Sequence, residues 1–180
     1  MKSLFLSIGS LFLLVIFISC TGSTQKLADT SESSNSSVPG WFSSNGFSSD
    51  SLAFYGYGVA IAADSTDALE RATQDAQNQL SFHLGKLAED VRRQMERENV
   101  SESSNADFIL LLRNAHGSVD EFSEIKNTFL LPPDDTYRAL VQLSISKQQA
   151  HQMFKAGFEG HPRYWAAFSG SPDYKSSIQD

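Results

Sequence analysis

The chain has 180 residues, which is enough for one domain with additional segments. It contains 14 Lys and Arg against 21 Asp and Glu, so its formal net charge is −7. This excess of negative charge argues against nucleic acid as a partner, because phosphates need a positive surface, and against electrostatic adsorption to anionic lipid. The single cysteine excludes an internal disulfide.

The N-terminus carries an apolar run at residues 4–18, which follows the basic Lys2 and the neutral Ser3. A run of about 15 residues suits the core of a signal peptide and is shorter than the roughly 20 needed to span a bilayer. Ser19 and then Cys20 end this run. The pattern resembles the lipobox of bacterial lipoproteins, although Phe17 and Ile18 are bulkier than usual.

The lipobox resemblance implies residues 1–19 as a signal peptide, cut between Ser19 and Cys20. It further implies that the Cys20 sulfur carries diacylglycerol and that the new amine is acylated. Several acyl chains on one residue hold a domain on a membrane stably, whereas one chain does so only marginally. Thr21 stands where an inner-membrane retention signal would have Asp, which favours the outer membrane. An uncleaved anchor or ordinary secretion is the alternative.

A Ser-rich segment, residues 20–38, separates the signal peptide from the predicted domain. Its few apolar residues bury too little surface to order the chain, so we expect a flexible tether. The predicted domain covers residues 39–158 and begins with Trp41, Phe42 and Phe47. We expect these aromatic side chains to cap the core; a ligand-binding aromatic patch is the alternative.

The first half of this domain reads as a strand followed by a long helix. Alternation at residues 52–61 predicts the strand, with Gly56 and Gly58 on a face that a helix could approach closely. Asp64 or Ser65 begins the helix, which continues to about Glu98. Residues three and four apart form its apolar stripe: Leu69, Ala72, Ala76, Leu80, Leu84, Leu87, Val91 and Met95. We interpret the mixed charges near its end as a solvated face.

The sequence of the second half of this domain predicts a short helix, a hairpin and a final helix. Periodicity is ambiguous at residues 104–116, but Asn105 as a cap and Gly117 as a stop favour a helix over a strand. Residues 122–131 and 136–145 alternate around a Pro-Pro-Asp-Asp turn and predict an antiparallel hairpin. Ser146 would cap the final helix. We expect residues 159–180 to form an irregular extension.

The whole pattern predicts an α+β fold, a small antiparallel sheet with helices packed on one face. At residues 55–80 the chain resembles the twenty-kilodalton outer-membrane lipoprotein family, the Lpp-twenty-like domain. Shared features are Pro39 and Trp41, the Gly-x-Ala at residues 58–60, and Ala at four-residue spacing: Ala68, Ala72 and Ala76. Gln77 departs from the family's frequent Arg. The family is related to flagellar outer-membrane lipoproteins; the resemblance implies a fold and a location, without a reaction.

The motifs of common enzyme classes are missing from the sequence. Its four histidines lack metal-ligand spacing, and it contains neither a nucleophile elbow nor a phosphate loop. A lipidated Cys20 is not a nucleophile. The acidic pair Asp134 and Asp135 fits turn chemistry better than acid–base catalysis. The sequence therefore predicts no enzyme, no cofactor and no metal.

Two functional hypotheses remain. The first is a lipoprotein at the periplasmic face of the outer membrane, with a structural or interaction role in envelope or flagellar assembly. Its partners would be the membrane, through the lipid, and an envelope protein or further copies of the chain. The hairpin edge, or Tyr164 and Trp165 in the extension, would form the contact surface. The second is a carrier with a pocket between the long helix and the sheet, lined by Tyr55 and Tyr57.

Overall fold

The computed structural model describes residues 38–131 and 135–179. The predicted signal peptide, Ser19, Cys20 and the tether up to residue 37 lie outside the described residues. So do residues 132–134 of the predicted hairpin turn.

The described chain folds into a four-stranded antiparallel sheet and a set of helices, which confirms the α+β class. The sheet order is β1-β2-β4-β3, so β4 lies between β2 and β3. The strands are β1 Phe47–Ser49, β2 Ala53–Ala62, β3 Glu124–Leu131 and β4 Tyr137–Ser146. The α-helices are α1 Ser65–Arg97, α2 Ala106–Gly117, α3 Val119–Phe122, α4 Lys147–Gly157, α5 Pro162–Gly170 and α6 Pro172–Tyr174. A 3-10 turn, Ser101–Ser104, precedes α2, and a π-helical turn, Lys175–Gln179, follows α6.

Helix α1 begins and ends where the sequence predicts. The Asp64 carboxylate accepts a hydrogen bond from the Asp67 amide and caps the helix, and Glu98 follows its last residue. Its buried face consists of Ala68, Ala72, Ala76, Leu80, Leu84, Ala88, Val91 and Met95. Leu69 and Leu87 of the predicted stripe lie at its edge, half-buried against the core, whereas Ala68 and Ala88, which the predicted stripe lacks, are fully buried. Burial here depends on how closely the neighbouring backbone approaches, and apolarity alone does not reveal that distance.

The closest approach in the fold joins β2 to the first half of α1. A Cβ atom on Gly58 would overlap the carbonyl oxygen of Ala72 and lie 2.5 Å from the Ala76 amide nitrogen. A Cβ on Gly56 would overlap the Ala76 carbonyl and lie 2.6 Å from the Leu80 Cγ. The contacting atoms are mostly backbone, so they cannot move aside as a flexible side chain can. The predicted glycine face of this strand is confirmed.

Substituting Gly58 by Ala tests this approach. We expect Gly58→Ala to lower the free energy of unfolding by about 1–3 kcal/mol or more, because α1 must move away from the sheet. Gly117→Ala is the matched control, since a Cβ at Gly117 meets no heavy atom within 4 Å. Denaturant titration of both variants measures the difference. Equal stabilities would show that α1 does not depend on this contact.

The short helix, the hairpin and the final helix of the second half are also confirmed, except that Phe122 ends the unpredicted helix α3 and β3 begins at Glu124. The Asn105 side chain accepts a hydrogen bond from the Asp107 amide and caps α2, which settles the ambiguous segment as a helix. Strands β3 and β4 pair in antiparallel register, with Phe129 opposite Leu140. Ser146 begins α4 with a capping box that includes Gln149.

The C-terminal segment differs from the irregular extension that the sequence suggests. Pro162 and Pro172 begin α5 and α6, where a missing N–H leaves no intrahelical hydrogen bond unmade, so they are not helix breakers here. Side chains of this segment complete the core: Phe168, Tyr174 and Ile178 are buried. They join an aromatic cluster with Phe108, Phe154 and Phe158. The folded unit therefore continues past residue 158.

Truncating one buried side chain tests whether the segment stabilises the domain. Phe168 has no exposed surface and lies 4.9 Å from the Tyr174 ring and 5.5 Å from the Phe158 ring, centroid to centroid. We expect Phe168→Ala to cost about 3–5 kcal/mol. Phe82→Ala is the control, because Phe82 lies on α1 with 66% of its surface exposed. Chemical denaturation should separate the two variants; a C-terminal segment that hardly contributes would leave them alike.

Candidate functional site

The two aromatic residues predicted as a partner surface lie next to each other on the first turn of α5. Tyr164 and Trp165 are both half-buried, because each packs one side against the aromatic core. The Tyr164 ring meets the Phe108 ring edge-on at 5.7 Å between centroids. The Trp165 ring lies 5.2 Å from His151 and 5.8 Å from Tyr174. Both residues therefore support the fold as well as reaching the surface.

Their exposed sides line two open grooves that flank the turn between α4 and α5. The first groove, about 500 Å³, lies against the 3-10 turn before α2. It is lined by Ser101, Glu102, Asn105, Gly160, His161, Pro162, Arg163 and Tyr164. The second groove, about 440 Å³, is more apolar. It is lined by Gln152, Lys155, Ala156, Phe158, Glu159, Gly160, Pro162 and Trp165. We call the surface formed by both grooves the α5 surface.

One charge pair crosses the first groove of the α5 surface. Arg163 Nη2 lies 3.2 Å from Glu102 Oε1, and 87% of the Arg163 side chain is exposed. The Glu102 pKa is lowered from its usual range, chiefly because the Ser101 hydroxyl donates a hydrogen bond to this carboxylate, with a smaller contribution from Arg163. The His161 and Tyr164 rings are parallel, 5.7 Å apart. The groove thus combines aromatic faces with one solvated ion pair, whose contribution to stability is small.

Tyr55 and Tyr57 occupy a different place from the one that the carrier hypothesis requires. Their side chains alternate with those of Gly56 and Gly58, so they lie on the sheet face opposite α1. They cannot line a space between the helix and the sheet, which Gly58 and Ala72 close by direct contact. The predicted position of this pocket is therefore wrong.

On that opposite face, hydrogen bonds cross all four strands. The Tyr57 hydroxyl lies 2.8 Å from the Ser48 hydroxyl on β1 and accepts from Gln142 Nε2 on β4 at 3.2 Å. Gln142 Oε1 in turn accepts from Asn127 Nδ2 on β3 at 2.6 Å. The Phe42 ring meets the Tyr57 ring edge-on, with their centroids 6.0 Å apart. Phe42 therefore covers part of the sheet face opposite the core, whereas Phe47 stacks on Phe54 and packs against the core, so the core-capping prediction is confirmed for Phe47 and not for Phe42.

A further groove, which the sequence does not reveal, lies between α1 and α2 and measures about 390 Å³. Its lining residues are Gly85, Glu89, Arg92, Arg93, Ile109, Leu112, Arg113 and His116. We call it the arginine groove. From the sequence, the arginines of α1 are indistinguishable from a solvated face. Only α2, folded back against them, adds Arg113 and His116 and creates the concavity.

The Glu89 carboxylate organises one wall of the arginine groove. Its Oε1 lies 2.8 Å from Arg92 Nη2 and 3.0 Å from Arg93 Nε, and its Oε2 accepts from Arg92 Nε at 2.8 Å. These bonds, that of Arg92 above all, lower the Glu89 pKa from 4.5 to about 2. Arg92 also donates to the Ser103 carbonyl at 3.0 Å, so it ties the 3-10 turn to α1. Glu89 stays ionised and the two arginines stay oriented throughout the neutral pH range.

Among the residues that the structure describes, no three His, Cys, Asp or Glu side chains are grouped as a metal ion would require. Within the same ranges, none of the helices is both long and apolar enough to cross a membrane. Comparisons of the chain with protein-family models, curated proteins and solved structures found no match.

Proposed function

We propose that this protein is a lipoprotein of the bacterial outer membrane, anchored at the periplasmic face through Cys20, with a structural or interaction role in envelope or flagellar assembly. The observation that carries the proposal is the position of the single cysteine, directly after Ser19 at the end of the apolar run. The resemblance to the Lpp-twenty-like family at residues 55–80 agrees with it, although no comparison identifies that family.

The described domain favours an interaction role over a carrier role. A carrier needs a cavity that encloses most of its ligand. The interface between α1 and β2 is instead filled by direct backbone contact at Gly56 and Gly58. The α5 surface is open and amphipathic, with the half-buried Tyr164 and Trp165 beside the charged Arg163 and Lys155. Aromatic residues and arginine are enriched at protein–protein contacts, so we assign the partner contact to this surface.

Replacement of the cysteine tests the anchor. In the bacterium, Cys20→Ser should abolish incorporation of labelled fatty acid and leave the apolar run uncut, because no sulfur remains to accept diacylglycerol. The wild-type mature chain should begin at Cys20 and carry the added mass of the lipid. Thr24→Ser, four residues further on, is the control and should be processed normally. A Cys20→Ser chain with unchanged fatty-acid labelling, or a wild-type chain without lipid, would refute the proposal.

Site-directed crosslinking tests the partner contact. With Cys20 acylated, Arg163→Cys supplies the one free thiol of the mature chain, in the first groove of the α5 surface. A thiol-reactive photo-crosslinker there should yield a covalent species of higher mass in intact cells. Arg71→Cys is the control, because the Arg71 side chain is 65% exposed on α1, outside both grooves. The same crosslinked species from both positions, or none from Arg163→Cys, would rule out this surface.

A further inference from the structure

The arginine groove has a charge opposite in sign to that of the whole protein. Its lining holds Arg92, Arg93 and Arg113 against the single carboxylate of Glu89. With Glu96, whose carboxylate pairs with Arg92 at 3.1 Å, three positive charges against two negative charges leave a surplus of one positive charge, whereas the chain carries −7. A local surplus of this kind attracts anions, and it is most effective in a concavity with low-dielectric walls. Ile109 and Leu112 supply such apolar walls.

The three arginines of the groove differ in how far their guanidinium groups are already hydrogen-bonded within the protein. The Arg92 side chain is only 13% exposed and is committed to Glu89, Glu96 and the Ser103 carbonyl. Arg93 donates its Nε to Glu89, which fixes the guanidinium while its terminal nitrogens remain available at the surface. Arg113 has no carboxylate within 4 Å among the described residues, although it lines the same space. Two guanidinium groups thus offer donors to a ligand.

His116 is the third donor group, and the fold makes specific room for it. Its ring lies over Gly85, where a Cβ would come within 2.9 Å of the imidazole Cε1. A glycine inside a helix lowers helix stability by about 1 kcal/mol relative to alanine. Gly85 therefore weakens the helix propensity of α1 at the position where the His116 ring packs. The Ser81 hydroxyl donates to the His116 carbonyl at 3.0 Å and lies 3.4 Å from Nδ1. The ring is therefore held from one side while it lines the groove.

We propose that the arginine groove binds a phosphate group, with Arg93, Arg113 and His116 as its ligands. Planar guanidinium forks match phosphate oxygens in pairs, which is why arginine predominates at phosphate sites. The groove accommodates one phosphorylated headgroup or small molecule rather than an extended chain, because it measures about 390 Å³. The site is independent of the partner contact on the α5 surface and goes beyond the lipid anchor.

The electrostatics of His116 provide a spectroscopic readout of the site. Burial lowers the His116 pKa, and Arg113 lowers it further. Glu89, Arg92 and Arg93 face the same groove from α1. A bound phosphate would offset the positive charges and accept a hydrogen bond from the imidazolium. It should therefore raise the pKa of His116 and shift its ring resonances, while His83, His151 and His161 outside the groove serve as internal references.

The experiment uses the protein as purified from the bacterium, whether or not it carries lipid, and follows His116 by NMR. One arm titrates inorganic phosphate into protein in a neutral, phosphate-free detergent. The other arm compares protein reconstituted in phosphatidylglycerol with protein in phosphatidylcholine, which distinguishes a free phosphate from an anionic lipid headgroup. Arg113→Gln should weaken the effect about tenfold in whichever arm shows it, as expected for the loss of a charge-assisted bidentate contact. Arg71→Gln removes the same charge at a position on α1 outside the groove, and it should change the His116 shift less than twofold.

Each outcome decides the proposal. A saturable His116 shift with phosphate, or a shift in phosphatidylglycerol alone, supports the site and identifies its source of phosphate. No shift in either arm overturns it. Equal weakening by Arg113→Gln and Arg71→Gln also overturns it, because the effect would then follow total charge. Amide spectra of both variants should match the wild type, since Arg113 and Arg71 are exposed. None of these results depends on the mass of the mature chain or on crosslinking at Arg163.

Discussion

The fold depends on the contact between the glycines of β2 and the alanines of α1. Gly56 and Gly58 allow the backbone of the strand to lie directly against the carbonyls of Ala72 and Ala76. At this separation even a Cβ atom on either glycine would clash, so the position of the helix over the sheet is set mainly by backbone atoms. Larger side chains, Leu80 and Leu84, fill the space further along the helix. The second half of α1 is thereby positioned to carry α2 and the arginine groove.

The other end of the core is closed by segments that are far apart in sequence. Phe108 of α2, Phe154 of α4 and Phe168 of α5 meet in one aromatic cluster, and the Tyr174 hydroxyl reaches His151 Nδ1 at 3.0 Å. Burial raises the Tyr174 pKa above its ordinary value, so the phenol remains protonated and retains its hydroxyl proton. The C-terminal helices consequently belong to the folding unit, and the α5 surface is rigidly supported from within.

The two candidate surfaces arise from this arrangement in different ways. Tyr164 and Trp165 of the α5 surface are neighbours in sequence and could be selected from it, whereas the rest of its lining comes from the 3-10 turn before α2 and from α4. The arginine groove combines Arg93 of α1 with Arg113 and His116 of α2, which meet only because the chain reverses between the two helices. Gly85, a glycine within a long amphipathic helix, is a sequence feature that could have indicated close packing at this position, but it does not by itself identify Arg113 or His116.

The sequence by itself determined α1, α2, α4, the hairpin and the glycine face of β2, because capping residues and periodicity are local properties. It also contains the lipobox-like position of Cys20. Only the tertiary structure decided that Ala68 is buried in preference to Leu69 and that the prolines of the C-terminal segment begin helices. Those outcomes depend on distances between segments remote in sequence. Hydrophobic periodicity indicates which face of a helix or strand is buried. The distance between two backbones is fixed only when the two elements pack against each other.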